Sequence, residues 1–237
     1  MFLFLVCLQE YPYLCKRNVK SDASDMNNDI QNHGGSEFSA QSRLNSKNVI
    51  LVDADYVDKV AFNLIVNFER MIGRRIPQAD MAKWIDCVAL DGGIREGEHE
   101  TQVVLIHSKE KVRMENFAPG NYEEELTGKA FKDHLGEFVI NAYPTEDVVS
   151  SEQQFIDTLQ TICDQKEVKR VMVIPNAEDD YIYNKVRETL RKVDDTKRIT
   201  VFAMQPMPGG NFRQEILGYS LMAALGIKSD EINNRTN

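Results

Sequence analysis

From residue 48 onward the chain alternates short, nearly continuous apolar runs with longer segments in which apolar residues recur at helical spacing. The runs "VILVDA" (49–54), "QVVLIHS" (102–108), "EFVINAY" (137–143), "RVMVIPN" (170–176) and "ITVFAMQ" (199–205) read as strands covered on both faces. Two helices are expected between the first two runs. Val57, Val60, Ala61, Leu64, Ile65, Phe68, Met71 and Ile72 form one stripe. "GRRIPQ" interrupts it, and "QADMAKWIDCVAL" forms a second helix that "DGG" terminates. Further helices are expected over 121–134, 150–164, 181–193 and 211–226, the last after the turn "MPGG". This alternation predicts an α/β fold, a three-layer α/β/α sandwich around a mainly parallel five-stranded sheet. No repeat or linker divides residues 48–227, so they read as one domain, with a polar tail over 228–237.

Residues 1–47 break the pattern. The opening "MFLFLVCL" is too short to span a membrane and lacks the basic segment and small-residue cleavage site of a secretory signal. Residues 20–47 are rich in Ser, Asn, Asp and Gly and have no hydrophobic period. The expectation is a disordered or overextended leader, with Met26 as an alternative start. A hydrophobic content of 42% suffices for a full core. The net charge of -9 disfavours extended duplex nucleic acid and acidic lipid surfaces, leaving room for RNA only at a local site. Cys7, Cys15, Cys87 and Cys163 lack the paired spacing of a zinc site. Cys87 and Cys163 fall in apolar helical patterns that suit buried reduced thiols, so a cytoplasmic location is expected. Homo-oligomer formation is left open.

Two strand endings carry the candidate chemistry. The first strand runs into Asp53 and Asp55, and the fourth, through "VMVIPNAEDDY", runs into Glu178, Asp179 and Asp180. Ligands of open parallel sheets bind at the carboxyl ends of strands, where strand order reverses. If the first and fourth strands are neighbours, these acids share one crevice. Clustered carboxylates without Cys or His suit Mg²⁺ or Mn²⁺, which can activate water at a phosphodiester. Each acidic ending also has an ordinary explanation, because Asp caps helices and acids complement a helix N-terminus.

The motifs "VILVDADYV" and "NAEDDY" resemble those of the NYN and PIN-like ribonuclease superfamily. Its domains open with a strand ending in Asp and close the site with a turn of the form Ser-Gly-Asp-Ser-Asp-Phe. The resemblance implies catalytic roles for Asp53, Glu178 and Asp180, and metal binding by Asp53, Asp55, Glu178 and Asp180. It also implies a role for Asp157, on the helix before the fourth strand. The implied activity is a metal-dependent phosphodiesterase or ribonuclease. Arg74, Arg75 and Lys185 are candidate substrate contacts. Asn176-Ala177 and Glu178 replace the family's Ser-Gly and Asp, which leaves as the alternative a non-catalytic PIN-like interaction or nucleotide-sensing module. The pattern Asp-x-Asp-x-Val also resembles the opening of haloacid dehalogenase-like phosphohydrolases. That reading would use Asp53 as nucleophile and Asp55 as acid and base, with Ser108 and with Asp179 and Asp180 in the later positions.

Overall fold

A computed structural model describes residues 46–146 and 150–233. The leader expectation over residues 1–45, with Met26, and the last four tail residues lie outside this span.

The strands are β1 (Asn48–Asp53), β2 (Ala79–Asp80), β3 (Glu100–His107), β4 (Phe117–Ala118), β5 (Lys129–Asp133), β6 (Gly136–Pro144), β7 (Arg170–Ile174), β8 (Arg198–Ala203) and β9 (Arg213–Ile216). The α-helices are α1 (Ala54–Ile72), α2 (Met81–Asp91), α3 (Ser151–Asp164), α4 (Asp180–Leu190), α5 (Leu217–Ala224) and α6 (Ser229–Asn233), with a π-helical turn at Tyr122–Leu126.

Strand β1 is central because every residue from Val49 to Val52 is fully buried. Its alternation divides two cores: Ile50 and Val52 pack with α1, α2 and α5, whereas Val49 and Leu51 pack with α3 and α4. From β1 the chain builds outward through β3 and β6. It then returns to the other side of β1 for β7, β8 and β9, giving the order β5-β6-β3-β1-β7-β8-β9. All neighbours are parallel except β5 and β6. The reversal of strand order therefore falls between β1 and β7, whose carboxyl ends open a crevice.

The five-stranded, mainly parallel sheet expected from the sequence is incorrect. The main sheet is seven-stranded and mixed, and β2 and β4 form a separate two-stranded sheet. The helix expected over 121–134 is the principal cause. Tyr122, Leu126 and Ala130 recur every four residues and mimic a helical stripe, but Asn121 caps only a five-residue π turn. Gly128, at φ 70°, then redirects the chain into β5. Phe131 stacks on Phe138 across the β5–β6 hairpin, with ring centroids 4.8 Å apart. That hairpin turns at Gly136, at φ 119°, where a Cβ would collide with the His99 backbone. The expected helix over 211–226 also divides: Arg213–Ile216 pairs as the edge strand β9 before α5 begins. Four residues are too few to display a period in sequence. Among the described residues, no helix is long and apolar enough to cross a membrane.

Candidate functional site

The carboxyl end of β1 explains why this strand terminates in acid. Asp53 is both the last strand residue and the N-cap of α1, accepting a hydrogen bond from the Tyr56 amide at 3.0 Å. Burial is the largest influence on its carboxyl and pushes its pKa up to about 6. The Tyr56 hydrogen bond opposes this, Asp55 and Glu152 add to it, and Lys111 opposes it.

Asp55 lies in the first turn of α1 and faces β3. Its carboxylate accepts from the Ser108 amide at 2.9 Å and from the Ser108 hydroxyl, and it pairs with Lys111 Nζ at 3.1 Å. This acid fastens the start of α1 to the loop after β3. His107, the last residue of β3, stacks on Tyr122 at 3.7 Å, and its pKa is lowered, mainly by burial. Nδ1 of His107 donates to the Ser108 carbonyl, which can only accept.

Between these elements is a cavity of about 380 Å³. Asp53, Lys59, Lys111, Glu152, Phe155 and Asn176 supply much of its wall. A second cavity, of about 290 Å³, lies beside Ala177, Glu178, Ala203, Met204 and Met207. Tyr56 borders both. The residue is only 4% exposed, and its hydroxyl has no hydrogen-bond partner among the described residues. Its pKa is raised, first by burial and then by Glu178 and Asp53.

Strands β1 and β7 are neighbours, yet the expected acids do not assemble. Glu178 borders the second cavity and lies 3.8 Å from Lys59, both side chains being more than half exposed. Asp179, between the two expected ligands, is the N-cap of α4 and accepts from the Tyr181 and Ile182 amides. Asp180 is exposed in the first turn of α4. Asp157 is exposed on α3 and accepts from Gln153 at 2.7 Å. The α3 acid that borders the cavity is Glu152.

The three expected cations are placed elsewhere. Arg74 pairs with Glu231 at 2.6 Å and donates to the Gly226 carbonyl. It and the exposed Arg75 follow the far end of α1, a 19-residue helix about 28 Å long. Lys185 pairs with Glu188 at 3.0 Å. Of the residues in the phosphohydrolase pattern, Ser108 lies beside Asp55, whereas Asp179 caps α4 and Asp180 is exposed.

The donor set does not fit Mg²⁺ or Mn²⁺. Oδ2 of Asp55 is held by Ser108 and its Oδ1 pairs with Lys111 alone, Asp53 is a desolvated cap, Glu178 faces Lys59, Asp157 faces Gln153, and Asp180 and Glu152 are exposed. Among the described residues, no group of three or more His, Cys, Asp or Glu side chains could hold a metal ion.

Sequence reasoning assigned no site role to Tyr56, His107, Thr145, Glu152 or Asn176, all of which border the larger cavity. His107, Thr145 and Asn176 end or follow β3, β6 and β7, so strand order was the signal that would have found them.

A family model described as a family of unknown function (DUF6621) matches residues 43–232. No curated protein and no solved structure matches the chain.

Proposed function

We propose that this chain, which belongs to the DUF6621 family of unknown function, is a non-catalytic, PIN-like sensing module that binds a nucleotide in the crevice between β1 and β7. The observation that carries this reading is the commitment of Asp55. The acid that a metal-dependent nuclease would turn toward its ions is bound to the Ser108 amide, the Ser108 hydroxyl and Lys111. It holds the walls of the crevice together.

The two cavities suit the two parts of a nucleotide. Ala177, Ala203, Met204 and Met207 offer a polarizable apolar surface for a planar base. Asp53 and Glu152 can accept from sugar hydroxyls, while Lys59 and Lys111 supply positive charge for a phosphate. Tyr56, between the compartments, has a buried hydroxyl that a ligand would satisfy.

Thermal unfolding of the full chain with a panel of nucleoside monophosphates, with and without Mn²⁺, tests this reading. A nucleotide is expected to raise the melting temperature without metal. Tyr56→Phe is expected to weaken binding about tenfold, or about 1.4 kcal/mol. A rise produced by Mn²⁺ alone and lost in Asp53→Asn would instead favour the metal-dependent phosphodiesterase.

A further inference from the structure

The opposite end of the sheet carries a second concentration of charge. Lys47 precedes β1, Lys169 precedes β7, and Arg170 and Arg198 begin β7 and β8. The backbone holds them in one row. The Lys169 and Arg170 amides both donate to the Lys47 carbonyl, at 2.8 and 3.0 Å, and the Arg198 amide donates to the Lys169 carbonyl at 2.8 Å. Arg170 and Arg198 are direct register partners. With neighbouring strands about 4.8 Å apart, the row spans about 10 Å. These residues border a cavity of about 580 Å³, in a chain whose net charge is -9.

Part of this charge has a structural explanation. Arg170 Nη1 donates to the Gly92 carbonyl at 2.5 Å, at the end of α2. The nearby Lys197 donates to the Gln165 and Val168 carbonyls beyond α3. Arg170 thus serves a carbonyl at the end of α2, and Lys197 serves one at the end of α3 and one in the connection to β7. Lys47, Lys169 and Arg198 have no side-chain hydrogen bond or ion pair among the described residues. On the facing wall Glu98 is already paired with Lys132 at 2.8 Å, which leaves Glu100 against the row, and the Asp194 carboxylate also interacts with Lys169.

The crowding extends behind the row. Gly93, at φ 88°, brings the backbone so close that a Cβ there would lie 2.8 Å from Arg170 Nη1 and 3.6 Å from Arg213 Nη1. The Arg170 pKa is lowered, first by burial and then by Arg198, Arg95 and Arg213. Like charges side by side on a sheet are destabilising, and an anion among them would offset that cost.

We propose that this end of the sheet binds a small, multiply charged phosphate anion of the di- or triphosphate class, held by Lys47, Lys169 and Arg198. A single phosphate would meet one end of the row, whereas a chain of linked phosphates spans it. Arginine adds a planar fork that matches phosphate oxygens. Strand β1, six residues or about 20 Å long, separates this site from the crevice at its other end.

Isothermal titration calorimetry on the full chain, with inorganic triphosphate and with adenosine triphosphate, tests the assignment. Wild type is expected to bind inorganic triphosphate, more weakly at higher salt. The double variant Lys169→Gln/Arg198→Gln is expected to lose at least about tenfold in affinity while unfolding at the same or a higher temperature without ligand. Arg198→Lys, which keeps the charge but loses the fork, is expected to bind inorganic triphosphate with an affinity between those of wild type and the double variant. For the part of each affinity lost in the double variant, equal values for the two ligands assign the free anion as the source. A larger value for adenosine triphosphate assigns the nucleotide. The proposal is overturned if wild type gives no binding or if the double variant binds as wild type does. It is also overturned if a short single-stranded RNA binds through these residues and inorganic triphosphate does not.

Discussion

Asp53 shows how one side chain serves a strand, a helix and a cavity together. Burial lifts its pKa from 3.8 to about 6, so the folded chain holds a proton over a range in which the unfolded chain has released it. Its contribution to stability is therefore full below pH 3.8, is lost as pH rises through about 6, and gives way at neutral pH to the cost of a desolvated carboxylate. A rise from 3.8 to about 6 would amount to about 3 kcal/mol at full effect, and access to the open cavity reduces this to on the order of 1 kcal/mol. Asp53→Asn keeps the cap, because Asn caps as well as Asp. The variant is expected to exceed wild type by that amount in urea unfolding near neutral pH, with the difference vanishing near pH 4. Asp91, also lifted to about 6 chiefly by burial, titrates in the same window. The difference between the two proteins, rather than the wild-type curve alone, therefore reports Asp53.

At the scale of elements, the turn from β7 into α4 distinguishes an acidic site from an acidic cap. Pro175 has no amide hydrogen and follows the last residue of β7. The chain then reaches Asp179, whose carboxylate receives the first free amides of α4. The acids on either side of it cap nothing. Glu178 meets Lys59 in solvent, and Asp180 complements the helix dipole. Asp179→Ala is expected to cost about 1 kcal/mol, whereas Glu178→Gln and Asp180→Asn change urea midpoints little. A large gain in stability from either conservative change would show that the three carboxylates repel one another in a shared site.

Across the whole molecule, the sheet separates two kinds of charge. Its carboxyl end gathers acids balanced by Lys59 and Lys111, and its amino end gathers Lys47, Lys169, Arg170 and Arg198. The surrounding charge of -9 confines the positive field to a short row. Duplex nucleic acid, which needs a long basic track to release counterions, is expected to give no change in fluorescence anisotropy at physiological salt. Binding with a steep salt dependence would mean that the basic row extends beyond the cavity.

The apolar runs that became β1, β3, β6, β7 and β8 were legible because strands buried on both faces need continuous hydrophobicity, which sequence displays directly. The strand-ending acids were equally visible. Strands β5 and β9 were not, since a short edge strand and a hairpin arm read like helix when only spacing is considered. Nor could spacing tell whether an acid next to a helix start turns inward or caps it. Asp55 is drawn to Ser108, 53 residues away, by the pairing of β1 with β3, and the basic row exists only because β1, β7 and β8 lie side by side. Burial demands are local and were written in the sequence. Strand order, which depends on long-range pairing, decided which charges meet.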